Sequence, residues 1–395
     1  MVDDAPRIDR QIAFLTAADG LKHVNRANVA LAGARFENTA EHSWHIALWA
    51  MVFAGSGMAP DGLDLGRVIS TALLHDLVEV YAGDHPIFEP HDADAVRLRE
   101  AEAADRLYGL LPADQGAALR GLWREYEDRD TPEARFVRLM DDTQPMFQEL
   151  ANTSTGQTER DIFRSILETG RFARMKNDWP EIYAETESLF FGRGHVASEA
   201  LDRRLRFLAE ADQLKSVLRG TTIFDGSRRE NSAEHSWHIC LFALVLAEHA
   251  NRDIRLDRVL QMLVLHDLVE IDAGDAPIHG DHDPEALAAR EQAAADRLFG
   301  LLPPAQGISF RAIWDEFEAA ETDDAIFAKS IDRVQPVLAN LNSGGGTWPT
   351  YRVTAEQLET RVGHKVCRGA PAVWHALKPR IDDWFRSSDL WRPRS

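Results

Sequence analysis

The sequence predicts an all-α protein made of two tandem lobes, and three observations support this prediction. The chain has 395 residues, which is too long for one average domain. Apolar residues recur at helical spacing, and runs of Val, Ile and Thr with the two-residue period of a strand are nearly absent. Two blocks are repeated: ENTAEHSWHI at 37–46 returns as ENSAEHSWHI at 230–239, and HDLVEVYAGDHPI at 75–87 returns as HDLVEIDAGDAPI at 266–278.

The repeat can be followed along both halves of the chain. An offset of 193 relates Ala18–Lys22 to Ala211–Lys215, and an offset of 191 relates ADRLYGLLP at 104–112 to ADRLFGLLP at 295–303. Spacing that is kept while the residues between drift indicates a preserved three-dimensional unit. An internal duplication therefore predicts one lobe over residues 1–192 and a second over 198–395, joined near the polar stretch 191–199.

Each lobe is expected to contain six or more helices. Residues 39–54 are rich in Ala, Leu and Trp and have no strand alternation. Residues 65–81 form the next predicted helix, which Gly83 and Pro86 end. Further helices are predicted over 94–107, 133–150 and 160–172.

Composition limits the partners and the location. The formal net charge of −20 repels a nucleic-acid polymer, and no apolar run is long enough to cross a bilayer. The N-terminus is acidic and polar, unlike a secretory signal. Cys240 and Cys367 have neither metal-site spacing nor the number needed for a disulfide scaffold. We expect a cytoplasmic protein with a small ligand, no membrane partner and no nucleic-acid partner.

The repeated blocks carry candidate metal ligands in each lobe. Two histidines, one followed directly by aspartate, and a distant aspartate form a mixed nitrogen and oxygen set. Such a set suits one divalent ion per lobe, with Mn, Co, Fe or Ni favoured over Mg or Zn. Four protein ligands leave two octahedral positions open for a water and a phosphoryl oxygen. The predicted ligands are His42, His75, Asp76 and Asp141 in the first lobe, and His235, His266, Asp267 and Asp332 in the second.

The second copy selects between two adjacent aspartates in the first. The segments around Gln144 and Gln335 align, so Asp332 corresponds to Asp141 and not to Asp142. A single buried histidine is more often a satisfied core residue than a ligand. The complete set at matching spacing in both copies favours metal binding.

The order His…His-Asp…Asp, with AEHSWH and HDLVE around it, resembles the HD-domain metal-dependent phosphohydrolases. Within that family the chain is most similar to the 5′-deoxynucleotidase-like branch, and IDRVQPVLANLNSGGGTW of the second lobe shares this similarity. The resemblance covers nearly all of both lobes. It implies an all-helical fold, a bound divalent metal, and removal of phosphate from nucleoside 5′-monophosphates.

Two acidic positions follow the His-Asp pair in each copy. Glu79 lies three residues after Asp76, so on a helix both project from the same side. Glu79 or its counterpart Glu270 could activate the attacking water or protonate the leaving oxygen. The resemblance implies that this glutamate is catalytic, and that Asp84 and Asp275 are a second catalytic or water-holding carboxylate. For Asp84, a role in the turn is the alternative.

Four arginines are candidate phosphate ligands. The resemblance implies that Arg26 and Arg219 bind the substrate phosphate. The tryptophan that follows this arginine in enterobacterial-type relatives is replaced in both copies, a departure that concerns sugar and base selectivity. Arg35 and Arg228 precede the AEHS segment and could also reach phosphate through their forked donors. A surface salt bridge is the alternative for Arg35.

One further pair of aligned histidines has two possible interpretations, and two tryptophans have one. His91 and His282 align and could serve a second metal ion, or they could cap the following helix. Trp44 and Trp237 are predicted to pack in the core.

The leading hypothesis is a metal-dependent phosphohydrolase acting on (deoxy)nucleoside 5′-monophosphates. A second hypothesis is a nucleotide sensor in which one or both lobes bind without turnover, with the first lobe favoured because it lacks the Gly-Gly-Gly-Thr-Trp stretch. A third keeps the fold and changes the reaction, to a nucleoside triphosphohydrolase or a two-iron oxygenase. The two lobes could form a monomer that mimics a dimer, or the chain could be a homo-oligomer.

Overall fold

A computed structural model of the chain describes residues 6–31, 35–85, 92–151, 161, 165 and 175–388. In the first lobe the helices are α1 (Arg7–Ala18), α2 (Thr39–Phe53), α3 (Leu65–Leu74), α4 (Glu79–Ala82), α5 (Ala93–Tyr108), α6 (Ala113–Asp128), α7 (Pro132–Ala151) and α8 (Pro180–Phe190). In the second lobe they are α9 (Glu199–Ala211), α10 (Ser232–Leu246), α11 (Leu256–Leu265), α12 (Glu270–Ala273), α13 (Pro284–Phe299), α14 (Pro304–Ala319), α15 (Asp323–Asn342), α16 (Thr347–Thr350), α17 (Ala355–Leu358), α18 (His364–Gly369) and α19 (Pro371–Ser387).

The prediction of two tandem helical lobes is confirmed, because the same succession of helices occurs twice. The predicted helix over 160–172 lies almost entirely outside the described residues, as does His91. The loop 191–198 separates α8 from α9, where the join was expected. The exact lobe boundaries, 1–192 and 198–395, stay a prediction.

Each lobe also contains a small hairpin that the sequence did not predict. Strand β1 (Asn25–Val29) pairs antiparallel with β2 (Phe36–Asn38), and β3 (Leu218–Thr222) pairs with β4 (Arg229–Asn231). These strands are too short to show a clear two-residue period. Each hairpin leads directly into the helix that carries the AEHSWH motif.

The predicted helix over 65–81 is divided at the His-Asp pair. Helix α3 ends at Leu74, and the next turns close through bonds between residues three apart, such as Glu79 N–H to Asp76 C=O at 3.0 Å. In the second lobe the equivalent residues His266–Val269 form a 3₁₀ turn. With three residues per turn, side chains three apart lie above one another. This tightening brings Asp76 and Glu79 together.

The two lobes share one apolar core, centred on α2 and α10. Every residue of α2 is buried, and so are nearly all residues of α10. A helix that is apolar on all sides has to be enclosed by other elements. The contacts between the lobes are reciprocal: Trp44 Nε1–H donates to Val264 C=O at 3.0 Å, and Trp237 Nε1–H donates to Leu73 C=O at 3.1 Å. Such reciprocity is the geometry of a two-fold dimer interface.

The first helix of each lobe also reaches across to the other lobe. Gln11 of α1 donates to Val245 C=O at 3.0 Å, and the Nε2 atom of His45 lies 3.1 Å from Leu208 C=O in α9. The lobes are therefore interlocked, and neither is a free-standing unit in this structure. Within the described ranges, no helix has both the length and the apolar character needed to cross a membrane.

Candidate metal centre

The structure brings the four predicted ligands of the first lobe together. His42 comes from α2, His75 and Asp76 follow α3, and Asp141 lies on α7. One ligand atom from each residue lies within 4.8 Å of all the others. The distance from His42 Nε2 to Asp141 Oδ1 is 3.1 Å, and that from His75 Nε2 to Asp76 Oδ2 is also 3.1 Å.

The second lobe repeats this arrangement. Ligand atoms of His235, His266 and Asp332 lie within 4.8 Å of one another. Asp267 is not part of this group of three, but its Oδ1 atom lies beside it, 2.9 Å from His266 Nε2. Asp332 Oδ1 lies 3.0 Å from His235 Nε2, as Asp141 does from His42.

The histidines are oriented as metal ligands. The Nδ1 atoms of His75 and His266 lie 2.7 and 2.8 Å from the carbonyls of Ala72 and Leu263, which requires a proton on Nδ1. In the neutral form of each histidine the Nε2 atom then carries the lone pair; both Nε2 atoms are buried and make no hydrogen bond within the described part of the chain. Nitrogen and carboxylate lone pairs facing each other require a cation between them, so the residues present fit a divalent ion.

Neighbouring positively charged side chains favour the ionised form of the aspartate ligands. Burial acts to raise the pKa of Asp76, but His75 and Arg26 outweigh it and lower that pKa to about 2. His266 and Arg219 lower the pKa of Asp267 to about 2 against the same effect of burial. Deprotonated carboxylates are the form that binds metal.

The two arginines predicted from the resemblance lie directly at the clusters. Arg26 Nη1–H donates to Asp76 Oδ2 at 2.7 Å, and Arg219 Nη1–H donates to Asp267 Oδ2 at 2.5 Å. Both come from the first strand of a hairpin, which explains why the hairpins precede the motif helices. Their buried Nε groups make no hydrogen bond to any described residue. These donors can receive an anionic group bound beside the metal ligands.

A glutamate stands next to each cluster in a form suited to proton donation. Glu79 Oε2 accepts from Thr39 Oγ1–H at 2.8 Å, and Glu270 Oε2 accepts from Ser232 Oγ–H at 2.5 Å. Burial raises the pKa of Glu79 well above its usual range, and the charge of Asp76 raises it further. Burial and Asp267 act on Glu270 in the same way. A carboxyl whose pKa is raised in this way can serve as a general acid.

The second acidic position lies at the rim of each cluster. Asp275 Oδ2 accepts from the backbone N–H of Gly220 at 2.8 Å, which ties it to the hairpin that carries Arg219. Burial raises the pKa of Asp84, while Arg26 opposes the increase. Gly83 and Gly274 precede these aspartates with φ of 77° and 75°, a backbone conformation that favours glycine.

Arg35 and Arg228 are not brought to the clusters. Arg35 forms a bidentate pair with Glu41 at 2.6 and 2.8 Å and also donates to Lys215 C=O of the other lobe at 2.6 Å. Arg228 makes the reciprocal contacts with Glu234 and with Lys22 C=O. Because their donors are used across the lobe interface, we assign both arginines to that interface and not to phosphate binding.

A tyrosine that sequence reasoning missed distinguishes the two clusters. Tyr126 Oη–H donates to Asp141 Oδ2 at 2.7 Å, and its ring packs edge-on against His75. The equivalent Phe317 packs in the same way against His266 but has no hydroxyl. The sequence contains this difference, because the 191-residue offset aligns Tyr126 with Phe317.

A cavity of about 650 Å³ opens onto the second cluster. Its lining includes Arg219, His266 and Asp267 of the cluster region, and also Trp348 and Tyr351. Thr347 and Trp348 belong to the Gly-Gly-Gly-Thr-Trp stretch noted in the sequence. His282, the second-metal candidate, also lines this cavity.

The HD-domain family model matches residues 18–183 and again 211–374. Together the two matches cover well over half of the chain, which therefore belongs to the HD-domain family. This family membership agrees with the helical fold and with a pair of His and Asp clusters.

Curated relatives carry nucleotidase names. The chain is similar to the human 5′-deoxynucleotidase HDDC2, with 31% identity over 138 residues, which is 35% of this chain and 65% of the human protein. It is 27% identical to a 5′-deoxynucleotidase of Yersinia pestis (strain Pestoides F) over 128 residues, 30% of this chain and 64% of the relative. The chain thus spans slightly less than two thirds of the length of these relatives.

One solved structure is also similar. It is the crystal structure of a predicted metal-dependent phosphohydrolase from Magnetospirillum magnetotacticum MS-1, with 42% identity and a TM-score of 0.46. The match covers 50% of this chain and 100% of that chain.

Proposed function

We propose that this protein is a metal-dependent phosphohydrolase that removes phosphate from (deoxy)nucleoside 5′-monophosphates. The observation that carries the proposal, made in both lobes, is a cluster of histidine and aspartate ligand atoms in which the Nε2 atoms of His75 and His266 make no hydrogen bond to any described residue. An arginine and a glutamate whose pKa is raised by burial adjoin each cluster. The nucleotidase names of the relatives support this choice of substrate.

The residues of the first lobe have distinct roles in the proposed reaction. His42, His75, Asp76 and Asp141 would hold the ion, which when bound supplies an activated water and neutralises phosphate charge. The water oxygen bonds to phosphorus while the bond from phosphorus to the ester oxygen breaks. One water proton stays on the phosphate product, and the other replaces the proton that Glu79 gives up. Arg26 stabilises the charge that develops on the phosphoryl oxygens. Glu79 donates a proton to the leaving oxygen, which departs as the nucleoside hydroxyl.

We further propose one ion per lobe, with Mn, Co, Fe or Ni favoured over Mg or Zn. The nitrogen and oxygen donor set supports this order. A small phosphorylated ligand and a cytoplasmic location fit the net charge of −20.

We propose a monomer in solution, because the reciprocal lobe interface already covers the surface that a two-fold dimer would use. Light scattering that gives a dimeric mass would contradict this.

Phosphate release from a panel of nucleotides, with Mn²⁺ or Co²⁺ present or removed by chelation, tests the proposed activity. We expect metal-dependent hydrolysis of at least one 5′-monophosphate. Release from no monophosphate would overturn the proposal. His75→Ala and His266→Ala, made separately, assign turnover to each lobe. Loss of turnover with one variant alone would leave the other lobe as a nucleotide sensor.

The second lobe favours an additional candidate, a substrate with more than one phosphate. Arg333, Arg361 and Lys365 line its cavity. Arg361 lies in the π-helical turn Glu359–Gly363, and such turns often occur at functional sites. Neither Arg361 nor Lys365 forms an ion pair with a carboxylate in the described ranges. The residue of the first lobe that corresponds to Arg333 is Asp142, which is acidic. Unpaired cations in an acidic protein suit an extra anionic group.

Nucleoside mono-, di- and triphosphates compared in a His75→Ala background test this candidate. Replacing Arg361 and Lys365 by Ala is expected to raise KM for di- and triphosphates by about tenfold and to leave KM for monophosphates unchanged. Equal effects on all three substrate classes would contradict a subsite for additional phosphate.

A further inference from the structure

Each metal cluster is backed by a buried lysine from the opposite lobe. Lys215, in the second lobe, donates from Nζ to Glu37 Oε1 of the first lobe at 2.5 Å. The other oxygen, Glu37 Oε2, lies 3.4 Å from Nδ1 of the ligand His42. The Lys215 and Glu37 side chains are both completely buried. A direct path of polar contacts therefore runs from one lobe to the metal ligand of the other.

The reciprocal path exists in the other direction. Lys22, in the first lobe, donates from Nζ to Glu230 Oε1 at 2.7 Å. Glu230 Oε2 lies 3.6 Å from His235 Nδ1. Gln335 adds a second connection, because its Nε2–H donates to Glu230 at 2.8 Å and its Oε1 lies 3.1 Å from His235 Nδ1.

Each lysine ammonium contacts three side chains, and these are of the same three kinds in both lobes. Lys215 contacts Asp212 as well as Glu37, and its Nζ is 3.0 Å from His45 Nδ1. The Nε2–H of His45 donates to Leu208 C=O, which leaves Nδ1 free to accept from the lysine. An ammonium has three donors, and all three are used. Lys22 is held in the same way by Asp19, Glu230 and His238.

These carboxylate and histidine groups are not additional metal sites. In each group the lysine ammonium already supplies the positive charge that the carboxylates require. Burying such charges gives little net stability, because desolvation offsets the attraction between them. An apolar interface would hold the lobes together equally well. The observed arrangement instead fixes the orientation of a carboxylate behind a metal-binding histidine.

We propose that Lys215 and Lys22 are positioning residues, each of which sets the metal affinity of the opposite lobe. A histidine that binds metal through Nε2 is oriented by donating its Nδ1–H to an acceptor, usually a carboxylate or carbonyl. For His42 the available acceptor is Glu37 Oε2, 3.4 Å from Nδ1, because neither atom has a hydrogen-bond partner among the described residues. Lys215 holds Glu37 in place. For His235 the acceptor is Gln335 Oε1, and Glu230, which Lys22 holds, accepts from the Nε2–H of that Gln335. The inference rests on the proposed function, since it requires that the clusters bind a divalent ion.

Calorimetric titration with Mn²⁺ of the full chain tests the crossed dependence. A His266→Ala background reports on the first lobe alone, and a His75→Ala background reports on the second. In the first background we expect Lys215→Met to raise the Mn²⁺ Kd by about 10- to 100-fold and Lys22→Met to change it by less than about threefold. In the second background the two effects should be exchanged.

The two lysine variants are matched controls for each other, because both remove a buried cation from the same interface. Equal weakening of one lobe by both variants would indicate general destabilisation and would overturn the inference. Weakening of the lobe that contains the substituted lysine would also overturn it. If the wild-type chain binds no Mn²⁺, the proposed function fails as well, so the two failures are distinguishable.

A second comparison separates the proposed effect on metal affinity from misfolding of the lysine variants. The double variant Glu37→Gln with Lys215→Met removes both charges of this pair, and it leaves Asp212 without its lysine just as Lys215→Met alone does. If Lys215 acts through Glu37, adding Lys215→Met to Glu37→Gln should change the Mn²⁺ Kd by less than about threefold. A further loss of about tenfold or more would show that Lys215 acts by another route and would contradict the proposal.

Discussion

At the scale of residues, two carboxylates in one buried turn have opposite preferences for charge. Burial acts to raise the pKa of both Asp76 and Glu79. For Asp76, the neighbouring His75 and Arg26 outweigh burial and bring the pKa to about 2. For Glu79, the charge of Asp76 adds to the effect of burial and Arg26 opposes both without outweighing them, so its pKa rises well above the usual range. Because the pKa is lowered in Asp76 and raised in Glu79, the first carboxyl is suited to bind a metal and the second to donate a proton.

Replacement of the glutamate separates chemistry from metal binding. In a His266→Ala background, Glu79→Gln is expected to lower kcat by about 10²- to 10⁴-fold, because the amide cannot release a proton to the leaving oxygen. Mn²⁺ affinity of the first lobe, measured by calorimetry, should stay close to that of the background. Glu270→Gln in a His75→Ala background is the matched variant. Unchanged kcat in either case would remove that glutamate from the proposed mechanism.

At the scale of elements, the motif helices α2 and α10 begin with capping boxes that are joined across the lobes. Asn38 Oδ1 accepts from the backbone N–H groups of Ala40 and Glu41, which satisfies donors at the start of α2. Its Nδ2–H donates to Glu234 Oε1 in the other lobe at 2.6 Å. Asn231 makes the reciprocal bond to Glu41 at 2.9 Å. One amide thus begins a helix and links the two lobes.

Two substitutions at Asn38 separate the cap from the link between lobes. Asn38→Asp keeps the capping acceptor, but it loses the donor to Glu234 and places two carboxylates together. We expect it to lower the free energy of unfolding by about 1–3 kcal/mol, at least as much as Asn38→Ala does. Urea unfolding measures both variants. If Asn38→Asp were as stable as the wild type, the bond between lobes would contribute nothing to stability.

At the scale of the whole molecule, two buried histidines make the lobe interface sensitive to acid. His45 and His238 lie beside Lys215 and Lys22, and each contacts a backbone carbonyl of the opposite lobe. Burial lowers their pKa values well below 6.5, and the adjacent lysine lowers them further. Both histidines are therefore neutral in the folded protein at pH values where the unfolded chain protonates them.

The stability of the fold should consequently decrease as the pH falls below about 6.5. In that range the unfolded chain binds more protons than the folded one, and each histidine contributes up to about 1.4 kcal/mol per pH unit. Above that range these groups have no effect. Urea unfolding between about pH 7.5 and 5 should show a loss about 2–4 kcal/mol smaller in a His45→Gln, His238→Gln double variant. Identical pH dependence would contradict this assignment.

Much of the candidate site was predictable because the duplication repeats it. The spacing of His42, His75-Asp76 and Asp141 returns in the second copy, and the comparison selected Asp141 over Asp142. The structure brings together all four residues of the first set and three of the second, with Asp267 adjacent to His266. The tight turn after α3 was not predictable, since helical periodicity does not distinguish a regular helix from one with a 3₁₀ turn at its end.

The roles of the basic residues could not be predicted from the chain alone. Arg26 and Arg35 both lie near the first motif, yet one contacts a metal cluster and the other pairs with Glu41 at the interface. Lys22 and Lys215 are identical in the two copies, which indicates that the position matters without indicating its partner. A charge pattern does not say which distant residue a flexible side chain will meet.

The sequence by itself determined the helical class, the duplicated organisation and the metal-ligand set, because periodicity and repeated spacing are local properties of the chain. Only the tertiary structure decided that the lobes interlock through α2 and α10, and that Lys215 and Lys22 stand behind the metal ligands of the opposite lobes. These pairs are 178 and 208 residues apart. Contacts at such separation depend on how the two lobes pack, which no local pattern encodes.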